Sequence, residues 1–325
     1  MTMNRNECAR WLLSHDHFAI LTHSAPDGDT LGSAAALCRG LRALGKTAWV
    51  LENGETPEHL AYLCEGLTCP LPEEGATLIS VDAAAPHMFP EPLLQYVDRI
   101  ALRIDHHGRS TSFTPLELVD PASGACAEII YDLLTLLEVE ITPEIAIPMY
   151  TGTATDTGCF RYANTTAHTF TVAAACAASG ANLQPINQAL FDTVSLSKLR
   201  VQAWVTEHTV FHCGGSVAVC SIPLRLSEEL GVSEEETGGM SGFVRSIEGV
   251  RMAATLRESE DGKVYISLRA VPGYDCGTVC QKFGGGGHKG AAGAGSDLPL
   301  AEITPLLTDA MIAHFEEVHE RNCNC

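Results

Sequence analysis

Phe18-Ala19-Ile20-Leu21-Thr22-His23-Ser24-Ala25-Pro26-Asp27-Gly28-Asp29 joins an unbroken apolar run to a turn carrying a histidine and two carboxylates. The run has the continuity of a strand buried on both faces. A small-residue-rich helix is expected to follow from Leu31 to Leu44, with Gly45 at its C-terminal cap. Further strands are expected at 47–51, 77–81 and 100–104, separated by helical or loop segments. Such runs suit a parallel sheet covered on both faces, which makes the fold class α/β.

Open α/β sheets collect ligands beyond the carboxyl ends of their strands. His23 to Asp29 follow the first expected strand, Asp82 the third, and Asp105-His106-His107 the fourth. Helices are expected at Ser123–Leu137 and Ile145–Thr153, the second introduced by Thr142 as N-cap and Pro143 at the first helical position. Its end would deliver Asp156 in the turn Asp156-Thr157-Gly158.

Each of these residues has an ordinary reading as well. His23 to Asp29 is also an acidic turn, Asp82 a helix N-cap, Asp156 a capping residue, and His106 and His107 exposed loop histidines paired with Asp105. Taken together they offer His23, Asp27, Asp29, Asp82, His106 and Asp156 as ligands for two divalent cations, with Asp82 as the bridge. Asp105 and His107 form the candidate catalytic pair, Asp105 as the orienter and His107 as proton donor or phosphate contact. Ligands rich in carboxylate and free of cysteine favour Mn²⁺ or Mg²⁺ over structural Zn²⁺, with Fe²⁺, Co²⁺ and catalytic Zn²⁺ as alternatives.

With 325 residues, the chain exceeds the size at which one core usually keeps growing. The expected division is a catalytic domain over 1–190, a helical linker over 191–210 and a smaller α/β substrate-binding domain over 211–325. Helices are expected at Thr166–Ser179, Ile186–Phe191 and Leu196–Thr206, then strands at Val217–Ile222, Val250–Arg257 and Val264–Arg269. Asp275–Phe283 and Ile303–Glu317 read as helices, and the acidic stretch Glu228–Gly239 as a solvated loop with a short helix. Within the second domain, Gly284-Gly285-Gly286-Gly287-His288-Lys289-Gly290 lets backbone N–H groups approach an anion, with His288 and Lys289 adding charge. Arg245 and Arg269 are further candidate clamps. The ordinary reading is a flexible loop before a small-residue helix, with both arginines in surface ion pairs.

A formal charge of -20 opposes capture of duplex nucleic acid, whereas a small phosphate ester can be met locally. No basic, apolar leader and no apolar span near membrane length is present, so a soluble, cytoplasmic protein without a membrane partner is expected. The 13 cysteines are scattered, many within apolar stretches such as those around Cys38, Cys64, Cys126 and Cys176, and read as buried thiols. Cys276 with Cys280, and the Cys323-Asn324-Cys325 tail, are weak metal signals.

These motifs resemble the DHH phosphoesterase superfamily, specifically the DHH–DHHA1 branch of bacterial nanoRNases and phosphatases of 3'-phosphoadenosine 5'-phosphate. The resemblance implies a parallel-sheet DHH domain and a DHHA1 domain, with His23, Asp27 and Asp82 attending one Mn²⁺ and Asp29, Asp82, His106 and Asp156 the other. It also implies that His107 lies beside the scissile phosphate and that Arg269 and His288 recognise a terminal phosphate or the nucleotide backbone. The family's common His-Lys-Arg-Ala-Ala-Gly form has Gly290 in place of its arginine here. Expected substrates are short RNA oligonucleotides, degraded to 5'-mononucleotides by solvent attack in a cleft between the domains, and 3'-phosphoadenosine 5'-phosphate. Alternatives are a cyclic-di-AMP or pApA phosphodiesterase and a noncatalytic nucleotide sensor. The sequence leaves the assembly state open, a homodimer included.

Overall fold

The computed structural model describes residues 1–54, 56–108, 110–232 and 237–323. They form two compact units, Met1–Thr193 and Val194–Cys325. The first unit holds the six-stranded sheet β3-β2-β1-β4-β5-β6. Its strands are β1 Phe18–Leu21, β2 Ala48–Leu51, β3 Thr68–Cys69, β4 Thr77–Val81, β5 Ile100–Asp105 and β6 Leu116–Val119. Every pairing is parallel. Chain order reverses between β1 and β4, the position at which neighbouring connections leave on opposite faces and open a crevice.

Both faces are covered, which is why the strand sequences show no polar alternation. Phe18 and Ile20 join one core cluster with residues of α1 (Arg5–Ser14), α2 (Gly28–Ala43), α4 (Cys126–Leu136) and α5 (Pro143–Asp156). Ala19 and Leu21 face the other, which contains Leu93 of α3 (Glu91–Leu94) together with Phe89 and Val97. Helices α6 (Ala167–Ala178) and α7 (Gln184–Asn187) complete the unit. The helix expected from Leu31 begins instead at Gly28, because the Asp27 side chain accepts from the backbone N–H groups of Asp29 and Thr30 and starts it earlier. Strands β3 and β6 were not expected. β3 has two residues, and β6 carries Glu117 within its apolar run.

Helices α2 and α5 cross at glycine. A Cβ on Gly32 would fall on the Pro148 carbonyl, and one on Gly152 would stand 2.8 Å from Asp29 Oδ1 and 2.9 Å from Ala127 Cβ. This close approach brings the first turn of α2 to the last two turns of α5, and Asp29 towards Asp156.

The second unit holds a mixed sheet in the order β11-β12-β10-β9-β8-β7, parallel between β8 and β9 and antiparallel elsewhere. Its strands are β7 Val210–His212, β8 Val217–Ile222, β9 Met252–Glu258, β10 Val264–Ala270, β11 Gly286–Gly287 and β12 Ala291–Ser296. Val201 and Val205 of α8 (Leu196–His208) pack with α10 (Met240–Arg245) and the short α9 (Leu224–Leu230) on one face. On the other lie α11 (Cys276–Gln281) and α12 (Leu300–Cys323). The small-residue run after the glycines is thus the strand β12 and not a helix. Cys276 and Cys280 are buried in this core as free thiols, as are Cys38, Cys64, Cys126 and Cys176 in the first unit. In the acidic stretch 228–239, residues 233–236 lie outside the described residues, as do Asn324 and Cys325 of the tail. No helix among the described residues is long and apolar enough to cross a membrane.

Two glycine substitutions separate space from propensity. Gly32→Ala is expected to destabilise the protein by about 1–3 kcal/mol through the backbone clash. Gly242→Ala, with nothing within 4 Å of its Cβ position, is expected to stabilise its helix by about 0.5–1 kcal/mol. Thermal and urea unfolding of the two variants measures both.

Candidate metal centre

The sequence-derived residues of the first unit converge at the carboxyl ends of β1, β4 and β5. His23 follows β1. Its Nδ1 faces the Ser24 carbonyl at 2.7 Å, which leaves the Nε2 lone pair directed at Asp82 Oδ2, 3.6 Å away, and Asp27 Oδ1, 4.0 Å away. Asn53 Nδ2 holds this segment by donating to the His23 carbonyl and Thr22 Oγ1, both at 3.0 Å.

Asp27 caps α2 and remains exposed, whereas Asp29 in the same first turn is 1% exposed. The Asp29 carboxylate is met by the start of α4: Oδ2 accepts from Cys126 N at 2.6 Å and Oδ1 from Ala127 N at 2.9 Å. Ser33 Oγ adds a third donor at 3.1 Å. Helix-terminal N–H groups favour negative charge, so the fold provides for this carboxylate before any cation binds.

Asp82 follows β4 with φ +54°, a left-handed conformation that is unusual for a residue with a Cβ. It is 3% exposed. Its Oδ1 accepts no hydrogen bond among the described residues, yet stands 3.4 Å from His106 Nε2 and 3.7 Å from His107 Nδ1. His106 directs Nδ1 to the Ser123 carbonyl at 3.2 Å. Its Nε2 is thereby presented to Asp29 Oδ2 at 3.8 Å, Asp82 Oδ1 at 3.4 Å and Asp156 Oδ2 at 3.6 Å. Asp156 comes from the end of α5, where Asn164 Nδ2 donates to its main-chain carbonyl at 3.1 Å.

Most of these separations are too long for hydrogen bonds, but they suit ligand atoms gathered around one cation. The ligand atoms form three groups, each within 4.8 Å: His23, Asp27 and Asp82; Asp29, His106 and Asp156; and Asp82, His106 and His107. Asp82 and His106 belong to two groups each. Oxygen and imidazole donors without thiolate are the chemistry of a hard divalent cation. The unpartnered Asp82 Oδ1 fits such an ion as its partner.

Without a cation, the cluster has to share protons. Burial, together with the Asp82 charge, holds the Asp29 carboxyl well above the ordinary range. Burial and the charges of Asp82 and Asp27 push Asp156 up to about 6, although His106 opposes them. Burial acts to lower His106, but Asp82 and Asp29 outweigh it and raise the imidazole above its ordinary range. A bound cation replaces those protons.

Asp105 and His107 are arranged differently. Asp105 Oδ1 accepts from His107 Nδ1 at 2.7 Å and from the backbone N–H groups of His106 and His107 at 2.8 and 3.2 Å. His107 is held above its ordinary range by that hydrogen bond, and its Nε2 is left outside the pair.

In the second unit, Arg269 lies on β10 opposite Ala291, and Ala291 exchanges backbone hydrogen bonds with His288. The two basic residues therefore share one row across the sheet. Arg269 Nη1 donates to the Leu268 carbonyl at 2.9 Å. Lys289 and His288 are exposed in the turn between β11 and β12, which is pinned by a bond from Cys276 N to the Lys289 carbonyl at 2.8 Å. Arg245 ends α10. Gly286 pairs with Gly293 and Gly287 with Ala292, and a Cβ on Gly287 would stand 2.6 Å from the Ala291 carbonyl. Close strand approach thus requires glycine there independently of any anion, and at Gly285 as well, where a Cβ would meet the Gly293 carbonyl.

Sequence reading missed Asn53, Ser33, Asn164 and the α4 N–H groups. Backbone donors leave no trace in residue type, although a polar Asn53 just after an apolar strand was a usable signal.

The chain matches the DHH family, N-terminal domain, over residues 17–153 and the DHHA1 domain over 214–317. It is 38% identical to a bifunctional oligoribonuclease and PAP phosphatase NrnA from Thermus thermophilus, covering 87% of this chain and 86% of that protein. It is 24% identical to the cyclic-di-AMP phosphodiesterase GdpP of Bacillus subtilis over 91% of this chain but 48% of that protein. An exopolyphosphatase-related protein from Bacteroides fragilis shares the fold, with a TM-score of 0.87, 22% identity and 97% coverage of each chain. The chain belongs to the DHH phosphoesterase family, in the branch that carries a C-terminal DHHA1 domain.

Proposed function

We propose that this chain degrades short RNA oligonucleotides to 5'-mononucleotides and hydrolyses 3'-phosphoadenosine 5'-phosphate to AMP, using two divalent cations, Mn²⁺ foremost. The observation that carries the hydrolytic reading is the position of Asp82, whose buried carboxylate belongs to two ligand groups at once. The substrate class is supported by the name of the Thermus thermophilus relative. Cleavage of cyclic-di-AMP or pApA is the second reading, favoured by the more distant phosphodiesterase GdpP. The free, buried thiols suit a reducing compartment such as the cytoplasm.

His23, Asp27 and Asp82 would hold one cation, and Asp29, Asp82, His106 and Asp156 the other. When bound, such ions supply Lewis acidity to phosphoryl oxygens and lower the pKa of water. The protein's own groups do the rest. Asp105 fixes Nδ1 of His107, so Nε2 is free to give a proton to the departing O3' oxygen or to donate to a phosphoryl oxygen. The raised pKa keeps that proton available towards neutral pH. Arg269 and His288 offer positive and hydrogen-bonding groups to a terminal phosphate or the nucleotide backbone, with Arg245 and Lys289 adding charge, whereas the Gly285 N–H is taken by the Cys280 carbonyl and Gly286 and Gly287 by the pairing of β11 with β12. Gly290, with only the Ala270 carbonyl at 3.7 Å from its Cβ position, leaves out any arginine contact at that point.

A metal-defined panel tests the reading. Turnover is expected to require Mn²⁺ or a similar ion, to be abolished by chelation, and to rise from long RNA strands towards the dinucleotide. AMP is the product expected from 3'-phosphoadenosine 5'-phosphate. Efficient cleavage of long strands, or of cyclic-di-AMP alone, rejects the leading substrates, and nucleotide binding without turnover under every metal condition identifies a sensor.

His107→Ala is expected to lower kcat by about 10²–10⁴-fold with little change in KM, the effect of losing a proton donor. Arg269→Ala is expected to act mainly on KM. Steady-state kinetics on a diribonucleotide separates the two.

Metal affinity should depend on pH. Cation binding needs Asp156 ionised and His106 neutral, so affinity is expected to rise with pH as each loses its proton, Asp156 near pH 6 and His106 above its ordinary range. Calorimetric Mn²⁺ titrations in buffers of different ionisation enthalpy measure the protons released.

A further inference from the structure

Behind the Asp105–His107 pair lies Arg103, the largest fully buried side chain among the described residues, at 2% exposure. It sits on β5 two residues before Asp105, opposite Ser80 of β4 and Glu117 of β6. Its guanidinium ties together several segments. Nη1 donates to the carbonyls of Ala84 at 3.3 Å and Thr111 at 3.1 Å, and Nη2 donates to Ser110 Oγ at 3.2 Å. Nη2 is also 3.4 Å from Glu117 Oε1, and the Phe113 ring covers the group at 5.1 Å.

The remaining contact bears on catalysis. Nη1 is 3.8 Å from Asp105 Oδ2, an oxygen that is fully buried and accepts no hydrogen bond among the described residues. Asp105 is therefore two-sided: Oδ1 takes the His107 imidazole and two backbone N–H groups, while Oδ2 has the Arg103 charge as its neighbour. A carboxylate buried without a counter-charge is strongly disfavoured, and so is a buried guanidinium. Each stabilises the other. Arg103 also holds the carbonyls of Ala84, two residues beyond Asp82, and of Thr111, four residues beyond His107, on one nitrogen.

We propose that Arg103 is a positioning residue for phosphoester hydrolysis, acting through Asp105 to fix the orientation of the His107 imidazole. The proposal rests on the hydrolase reading above for its kinetic consequence, but not for its structural one.

The test compares wild type, Arg103→Gln, Arg103→Lys, Asp105→Asn and the Arg103→Gln/Asp105→Asn double variant, all as the full chain with Mn²⁺ and a diribonucleotide. Glutamine removes the charge together with the Nη2 donation to Ser110 and the reach of the guanidinium, so the charge-keeping Arg103→Lys is the control that separates charge from shape. Arg103→Gln is expected to lower kcat roughly 10–100-fold, as for other residues that orient a reactive group, with KM within about twofold of wild type. In the Asp105→Asn background the same change should cost less than about twofold more, because the path it acts through is already lost. Arg103→Lys restores the charge and should recover most of the lost kcat. Equal losses in both backgrounds, a loss confined to KM, or a folded lysine variant no better than glutamine would each overturn the proposal.

A second readout is independent of turnover: NMR exchange of the His107 Nδ1 proton. Protection is expected in wild type and Arg103→Lys and reduced in Arg103→Gln; equal protection in all three overturns the proposal. Wild type inactive on every substrate sinks the hydrolase reading, and the exchange measurement then decides the role of Arg103 alone. If Arg103→Gln fails to fold, wild type and Arg103→Lys decide: retained protection and most of the kcat in the lysine variant support the proposal, and loss of either overturns it.

Discussion

A carboxylate removed from water has to find compensation, and in this protein that constraint falls hardest on Asp82. The residue turns into the left-handed region as β4 ends, is 3% exposed, and presents to two imidazoles, and through His106 to two further carboxylates, an oxygen with no hydrogen-bond donor among the described residues. A site that concentrates like charges in a low-dielectric crevice is stable only with shared protons or with cations. The electrostatic demand that destabilises the cluster when it is bare is one that divalent ions would meet.

The surrounding fold meets that demand from outside. Two N–H groups from the start of α4 and the Ser33 hydroxyl hold Asp29, carbonyl oxygens fix the tautomers of His23 and His106, and Asn53 and Asn164 brace the segments that carry His23 and Asp156. These contacts leave one lone pair of each ligating group free to point inward. Arg103 extends the arrangement by one layer, with Asp105 as the joint between a buried guanidinium and the His107 imidazole. The glycine crossing of α2 and α5 is part of the same construction, since Asp29 and Asp156 ride on the two helices that Gly32 and Gly152 allow to touch.

The second unit solves a different problem. Its glycine run is needed for two strands to lie close together, and the sharp turn that follows sets His288 in one row with Arg269. A motif that reads as a flexible anion cradle is thus a strand pairing whose turn carries the basic group. The backbone geometry comes from packing, and His288 is carried at its end.

Much was legible in the chain before folding. Apolar runs at 18–21, 77–81 and 100–104 marked strands covered on both faces, because each side of such a strand contacts a core and no polar period can survive. Most of the candidate ligands, too, were legible as residue types placed just after those runs, and Asp156 at the end of a helix. Tertiary structure alone decided what depends on groups distant in sequence. The early start of α2, the strand character of β12, the backbone donors to Asp29 and the contact between Arg103 and Asp105 all belong to that class. Residue type records which chemistry a side chain can perform. Which oxygen receives a proton, and which is left to a buried charge, is settled only when the neighbouring backbone has closed around it.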